Sequence, residues 1–370
     1  MNIDGHRMTI WRVGSFLMLC LWLCACNENT ESSDAEGDLL RLTSYVQPFV
    51  ADHLTTRAEA GVPEGFFPLE EVYSITDGVP PSMAIFMVPQ ETSIPSSKQL
   101  VTYRGEDQWQ SYVGVKQISY YIHGYLPDDA VASATLLPYP TTNDYSQGAQ
   151  LVLSGLSSVS KADVCVVTGV QDVPTPTTPT DLNLGRFRYV GKPTGQNYVG
   201  LLLEHIYSAV DFRLQVNATY YALRRIKLKK LTLKSTAMGS VEVAVTLRAN
   251  ETGTDPISAV RWTPLSGSTG ATVVLYEDAE GRDLTTEPCL IQGYMSPQVS
   301  NRLTVECEYD VYDIKGNLVR EGCTAENYLG TKVSSSLQRG QKSVVTLIVN
   351  PTFLYQLSDA DLDNPTMVVD

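Results

Sequence analysis

Residues suited to acid–base or metal chemistry are few in this chain. Of four histidines, His6 falls in the N-terminal stretch that would leave with a signal peptide. His53, His123 and His205 lie far apart, none at a metal-ligand spacing from cysteine or glutamate. No nucleophile elbow, dinucleotide fingerprint, phosphate loop or C-x-x-C occurs. His123, in "YYIHGYL", reads as a strand residue among aromatics. The run "DADLDNPTMVVD" puts Asp359, Asp361, Asp363 and Asp370 at offsets like those of a calcium loop. Asn364 replaces the turn glycine and Pro365 follows, so spaced carboxylates in a surface turn are expected. The expectation is therefore no catalytic residue, no metal and no cofactor.

Two covalent events remain legible. "MNIDGHRMTIWR" carries Arg7 and Arg12, and "VGSFLMLCLWL" is an apolar run too short to span a bilayer as a stable anchor. It ends in Leu23-Cys24-Ala25-Cys26, which looks like a bacterial lipobox. Residues 1–25 would be a lipoprotein signal peptide and Cys26 the acylated first mature residue, palmitate among its chains. The second event is proteolysis. "DHLTTRAEAGVPEG" sets Arg57, followed by Ala58, in a small, polar, Gly- and Pro-bearing stretch where nicking is expected. Arg41 is the runner-up, but it lies inside "LLRLTSYV", a strand that a sheet would shield.

Between the two sites, "NENTESSDAEGD" is an acidic, solvated tether, and "LLRLTSYVQPFV" reads as one β-strand whose Leu40, Leu42 and Val46 share the apolar face. Four cysteines remain beyond the N-terminal segment: Cys165, Cys289, Cys307 and Cys323. "LTVECEYDVYDIKGNLVREGCTA" reads as a hairpin with a three-residue loop at Ile314–Gly316. That register sets Val311 opposite Val319, Tyr309 opposite Glu321 and Cys307 opposite Cys323, leaving a cross-strand disulfide or two small buried thiols as alternatives.

The elements that must position these residues are strands. The chain has 370 residues, with 20 Tyr, 20 Pro and 26 Gly, and period-two alternation recurs from end to end. Short strands separated by Gly, Pro, Asn and Asp predict an all-β fold of two tandem antiparallel β-sandwich domains. The division runs 26–57 for tether and removable first strand, 58–172 for the N-terminal domain, 173–197 for a Pro-rich linker and 198–370 for the C-terminal domain. A net charge of −14 argues against nucleic acid. The cationic "LRRIKLKKLTLK" changes phase at Lys229-Lys230, as a β-bulge would make it do, with its charges solvated or guarding an edge.

The signal, the lipobox, the all-β body and four passages together resemble the fimbrillin family, the lipoprotein-derived subunits of Bacteroidota type V pili. The passages are "TTRA" (55–58), "DVCVVTG" (163–169), "VGLLLEHIYSAVDFRLQV" (199–216) and "VNPTFLYQLSDADLDNPTMVV" (349–369). The strand region "VYSITDGVPPSMAIFMV" departs from the family's usual glycine-aspartate pattern. The resemblance implies Greek-key, transthyretin-like domains, export to the outer membrane and display at the cell surface. It further implies cutting by a trypsin-like protease at Arg57–Ala58, and assembly into a fimbrium by strand exchange with other pilus subunits. A host or bacterial receptor would suit an adhesin. A tail folded back on its own domain would suit a tip or accessory subunit. The alternative is a monomeric surface lipoprotein that binds glycan, with Trp109 and Tyr112 as its aromatic platform.

Overall fold

The computed structural model describes residues 38–50, 65–75, 78–106, 108–171, 184–236, 238–249, 255–297, 303–329, 337–350 and 366–369. The fold is all-β. The α-helices among the described residues are two single turns, Leu69–Val72 and Ala218–Tyr221. Cys26, His53, Arg57, Ala58, the prolines of 173–183 and the acidic run from Asp359 to Asp363, with Asp370, lie outside the described residues.

The largest sheet has the spatial order Phe67–Pro68, Arg41–Val46, Tyr198–His205, Cys165–Gln171, Ser119–Leu126, Ser82–Pro89, Ser97–Gly105, Gln108–Gln110, with Arg188–Val190 also paired to Ser119–Leu126. A second sheet joins Ser133–Pro138 and Gly148–Ser157 to Ser240–Arg248 and Ile257–Pro264. The two halves of the chain thus share one sheet, through a ladder in which Leu151 faces Val245 and Leu153 faces Val243. A third sheet is built on Ser208–Val216, flanked by Cys289–Met295 and Lys342–Asn350. The fourth is built on Arg224–Ser235, flanked by Ala271–Leu284 and Leu303–Asp313, with Leu318–Tyr328 outermost. Sheet membership changes between His205 and Ser208, because Tyr198–His205 is needed between the first strand and Cys165–Gln171.

Among the described residues, alternation fills three large cores. Ile85, Ile122, Val167, Leu201 and Leu203 lie on one face of the large sheet with Leu42 and Val46. On its other face, Ala84, Tyr125 and Val166 meet Leu151, Leu153 and Val243 of the second sheet. Phe212, Leu214 and Leu347 of the third sheet meet Leu228, Leu231 and Val305 of the fourth.

The bulge expected in "LRRIKLKKLTLK" is present: both ladders of Arg224–Ser235 shift register between Leu228 and Lys230. The strand is central, not an edge. Its lysines meet neighbouring carboxylates, Lys230 with Glu277 at 3.0 Å, Lys234 with Glu306 at 2.6 Å and Lys229 with Asp310 at 3.3 Å. The hairpin loop at 314–316 closes as expected, with the Asp313 N–H donating to Asn317 O at 2.9 Å. The register beyond it needs correction. Asp310 Oδ1 accepts from the Gly322 N–H at 2.9 Å, and Gly322 takes φ +65°, so the return strand bulges. A second shift lies between Val311 and Tyr312. Cys307 therefore faces Ala325, and Cys323 faces Tyr309. Both are buried free thiols, as are Cys165 and Cys289.

Candidate functional site

The first strand occupies a groove. Arg41 to Val46 runs parallel to Tyr198–Leu203 in register, Leu42 beside Val199 and Val46 beside Leu203. On its other edge the ladder is short, with Tyr45 opposite Pro68 and Val46 opposite Phe67. A cleft of about 600 Å³ adjoins the strand, lined by Leu40 and Leu42, by Trp109 and Ser111, and by Tyr198 and Val199 of the paired strand. One edge is thus paired along its length, while the other is bonded only at its ends, through Asp38–Leu40 to Val113–Val115 and through Tyr45–Val46 to Phe67–Pro68.

Side chains hold the strand by position. Leu40, Leu42 and Val46, picked out by alternation, are all buried. Between them sits Ser44, wholly buried, which accepts a hydrogen bond from Trp109 Nε1 at 2.9 Å. Beyond Pro48, Phe49 turns into a separate pocket, stacked on the His205 ring at 3.7 Å with Tyr294 at 6.1 Å. Main-chain bonds extend the grip at both ends. The Arg41 N–H donates to Asn197 O at 2.9 Å, Gln47 to Leu203 O at 3.0 Å and Val50 to Gly340 O at 2.9 Å. Desolvation pushes the Asp38 pKa up, but its carboxylate accepts from the Gly195 N–H and from Asn197 Nδ2 at 3.2 Å, and these bonds with the nearby Arg41 charge leave it lowered overall. Arg41 has its backbone in this ladder and its guanidinium on the Tyr198 hydroxyl at 2.6 Å.

Beneath Phe49, three residues that the sequence scatters come together. Cys165 faces His205 across the antiparallel ladder, and Asp163 lies two residues before Cys165. The Cys165 thiol donates to Asp163 Oδ2 at 3.2 Å and lies 3.4 Å from His205 Nδ1, which also meets Asp163 Oδ2. Asp163 Oδ1 accepts from the Val164 N–H at 2.8 Å. Burial first, then the Asp163 carboxylate, pushes the Cys165 thiol pKa up, so it is not an activated nucleophile. The three donor atoms lie within 4.8 Å of one another, close enough for one small ion. All three residues are buried, and their donor atoms are engaged with one another, the Cys165 thiol and His205 Nδ1 both meeting Asp163 Oδ2. The arrangement fits a hydrogen-bonded polar joint between two strands.

The other sequence candidates separate. His123 is buried and stacked on Phe187 at 4.4 Å; burial lowers its pKa to about 3, so it is neutral. Trp109 and Tyr112 form no platform, because Trp109 is buried edge-on to Tyr103 at 5.1 Å while Tyr112 is 73% exposed. Ser44, Phe49 and the Asp163–Cys165–His205 joint escaped sequence reading, since their partners lie tens of residues away or more. The one local signal was the aromatic after Pro48. Among the described residues no helix is long and apolar enough to cross a membrane.

No protein-family model matches the chain, and no curated protein matches it. Among solved structures it is similar to a candidate cell adhesion protein from Bacteroides fragilis, with 12% identity, 90% of this chain and 97% of that chain covered, and a TM-score of 0.41. A fimbrial protein from Bacteroides vulgatus matches with 10% identity, coverage of 78% and 91%, and a TM-score of 0.35. The fimbrial anchor protein Mfa2 from Porphyromonas gingivalis matches with 11% identity, coverage of 90% and 95%, and a TM-score of 0.27. At these scores nothing about this chain's function follows from the likeness.

Proposed function

We propose that the chain is a fimbrial or adhesin-like subunit, exported as a lipoprotein on Cys26 and made competent for assembly by cutting at Arg57–Ala58. The observation that carries this reading is the construction of segment 38–50. It fills a groove with Leu40, Leu42, Val46 and Phe49, yet it is joined to the rest of the sheet through residues 51–64, which contain Arg57. A cut there leaves the strand held by noncovalent contacts alone. Its departure would strip the Tyr198–His205 edge of its partner, and such an edge takes up an extended segment by β-augmentation. The partners in this reading are other pilus subunits, a trypsin-like protease, the outer membrane through the lipid, and a surface receptor. No catalytic role is proposed.

An accessory or tip position is favoured by the C-terminal strand, since Thr366–Val369 pairs with Lys342–Asn350 of its own chain. The experiment is the N-terminus of the protein recovered from its native cell surface, by intact mass and terminal sequencing. A start at Ala58, with 38–50 absent from assembled material, is expected. Assembled protein that begins at acylated Cys26 and retains the strand overturns the processing step.

A further inference from the structure

Resting on that reading, we infer that the groove is selective. The segment that replaces the first strand comes from a different protein and carries apolar residues at the Leu40, Leu42 and Val46 positions, a serine-like acceptor at the Ser44 position and an aromatic three residues beyond Val46. Each position of the strand makes its own demand. Leu40, Leu42 and Val46 face apolar Val199, Leu201 and Leu203, and ask only for apolar bulk. The Ser44 position asks for more. Trp109 Nε1 is a donor with no acceptor capacity, and it is spent on Ser44 Oγ in a buried site. An incoming strand with alanine or valine there leaves that donor unpaired, and a buried donor without an acceptor is costly. The Phe49 position asks for a ring. Its pocket is floored by His205 at 3.7 Å and flanked by Tyr294, with Lys342 Nζ 5.8 Å above the ring centre. A small side chain there leaves an aromatic-lined void.

The requirement reads apolar-x-apolar-x-Ser-x-apolar-x-x-aromatic, running parallel to Tyr198–His205. Residues 351–370 of this chain do not satisfy it. The aromatics there are Phe353 and Tyr355, and counting back nine residues from each places Val344 and Thr346 at the first position. Thr346 then falls at the second apolar position or the first, and fails either way. Part of that segment, Thr366–Val369, is in any case paired within its own domain. A second copy of this segment is therefore not the occupant; a strand of another subunit is.

The test uses the full chain with a specific protease site in place of Thr55–Arg57. After cutting, labelled peptides are offered in excess: the native sequence 38–50, its Ser44→Ala and Phe49→Ala forms, and residues 351–370. Uptake is read by intact mass and fluorescence anisotropy. The native peptide is expected to exchange in. Both altered peptides are expected to bind about tenfold more weakly or worse, and the 351–370 peptide is expected not to enter. In a Trp109→Phe body the preference for serine over alanine disappears, a cycle that isolates this one hydrogen bond from general misfit. If no peptide enters, the native one included, the strand-exchange reading itself fails. If the native and Ser44→Ala peptides bind equally, the groove stands and its selectivity is refuted. Entry of the 351–370 peptide at native strength refutes the requirement for a different protein.

Discussion

Truncating Leu42 to alanine should loosen the first strand while leaving the rest of the molecule as stable as before. Leu42 is 3% exposed and packs in the cluster that contains Val199, Leu201 and Leu203. Deleting a buried leucine to alanine costs about 2–5 kcal/mol, the spread reflecting how far the site collapses. Here the cleft that adjoins the strand allows some collapse, which places the effect near the lower half, about 3 kcal/mol. That corresponds to a rise of roughly a hundredfold in the population with segment 38–50 open. Amide hydrogen exchange reads it directly, because the N–H groups of Leu40, Arg41, Gln47 and Val50 are bonded to Val113, Asn197, Leu203 and Gly340. These four should exchange about a hundredfold faster in Leu42→Ala, while amides of Arg224–Ser235, central in the fourth sheet, keep their protection. Equal acceleration at both places would mean that the strand does not open on its own. It would then be an integral part of one cooperative unit, and the argument for a removable strand would be wrong.

Other outcomes can be checked with simpler tools. Asp163→Ala leaves the Cys165 thiol and His205 Nδ1 without their shared acceptor, and should cost about 1–3 kcal/mol in urea unfolding. His123 gives a pH dependence whose sign is fixed. Its folded pKa of about 3 lies below the unfolded 6.5, so the unfolded chain binds the extra proton between those values. Its contribution to stability is present above pH 6.5 and is lost as pH falls towards 3, by at most about 1.4 kcal/mol per pH unit. His123→Phe, which keeps a ring against Phe187, should remove that slope in denaturation curves taken from pH 7 to 4. Cys165, Cys289, Cys307 and Cys323 should resist alkylation in the native protein and react after denaturation, and a reductant should leave the unfolding midpoint unchanged.

The fold class was legible because strand signals are local. Alternation of apolar and polar residues marks a half-buried strand wherever it pairs, and turn residues mark its ends. The same locality exposed Leu40, Leu42 and Val46 as one face, and showed the phase change at Lys229-Lys230 before either neighbour was known. It also placed the loop at 314–316, yet misread the register beyond it. The bulge at Gly322 goes with a carboxylate, Asp310, reaching a backbone N–H on the opposite strand, which no count of residues from the loop reveals. Trp109 and Tyr112 made the same point in another way: three positions apart and both aromatic, they part because one donates to Ser44, 65 positions earlier, while the other faces solvent.

By itself, then, the sequence determined the β class, the apolar face of the first strand and the polar stretch bearing Arg57, since each is set by a residue and its near neighbours. Tertiary structure alone decided that the first strand runs parallel to Tyr198–His205, that Ser44 answers Trp109, and that Phe49 seals the Asp163–Cys165–His205 joint. Those are contacts between segments tens of residues or more apart. They exist because a buried donor or ring must find its partner wherever packing brings one within reach.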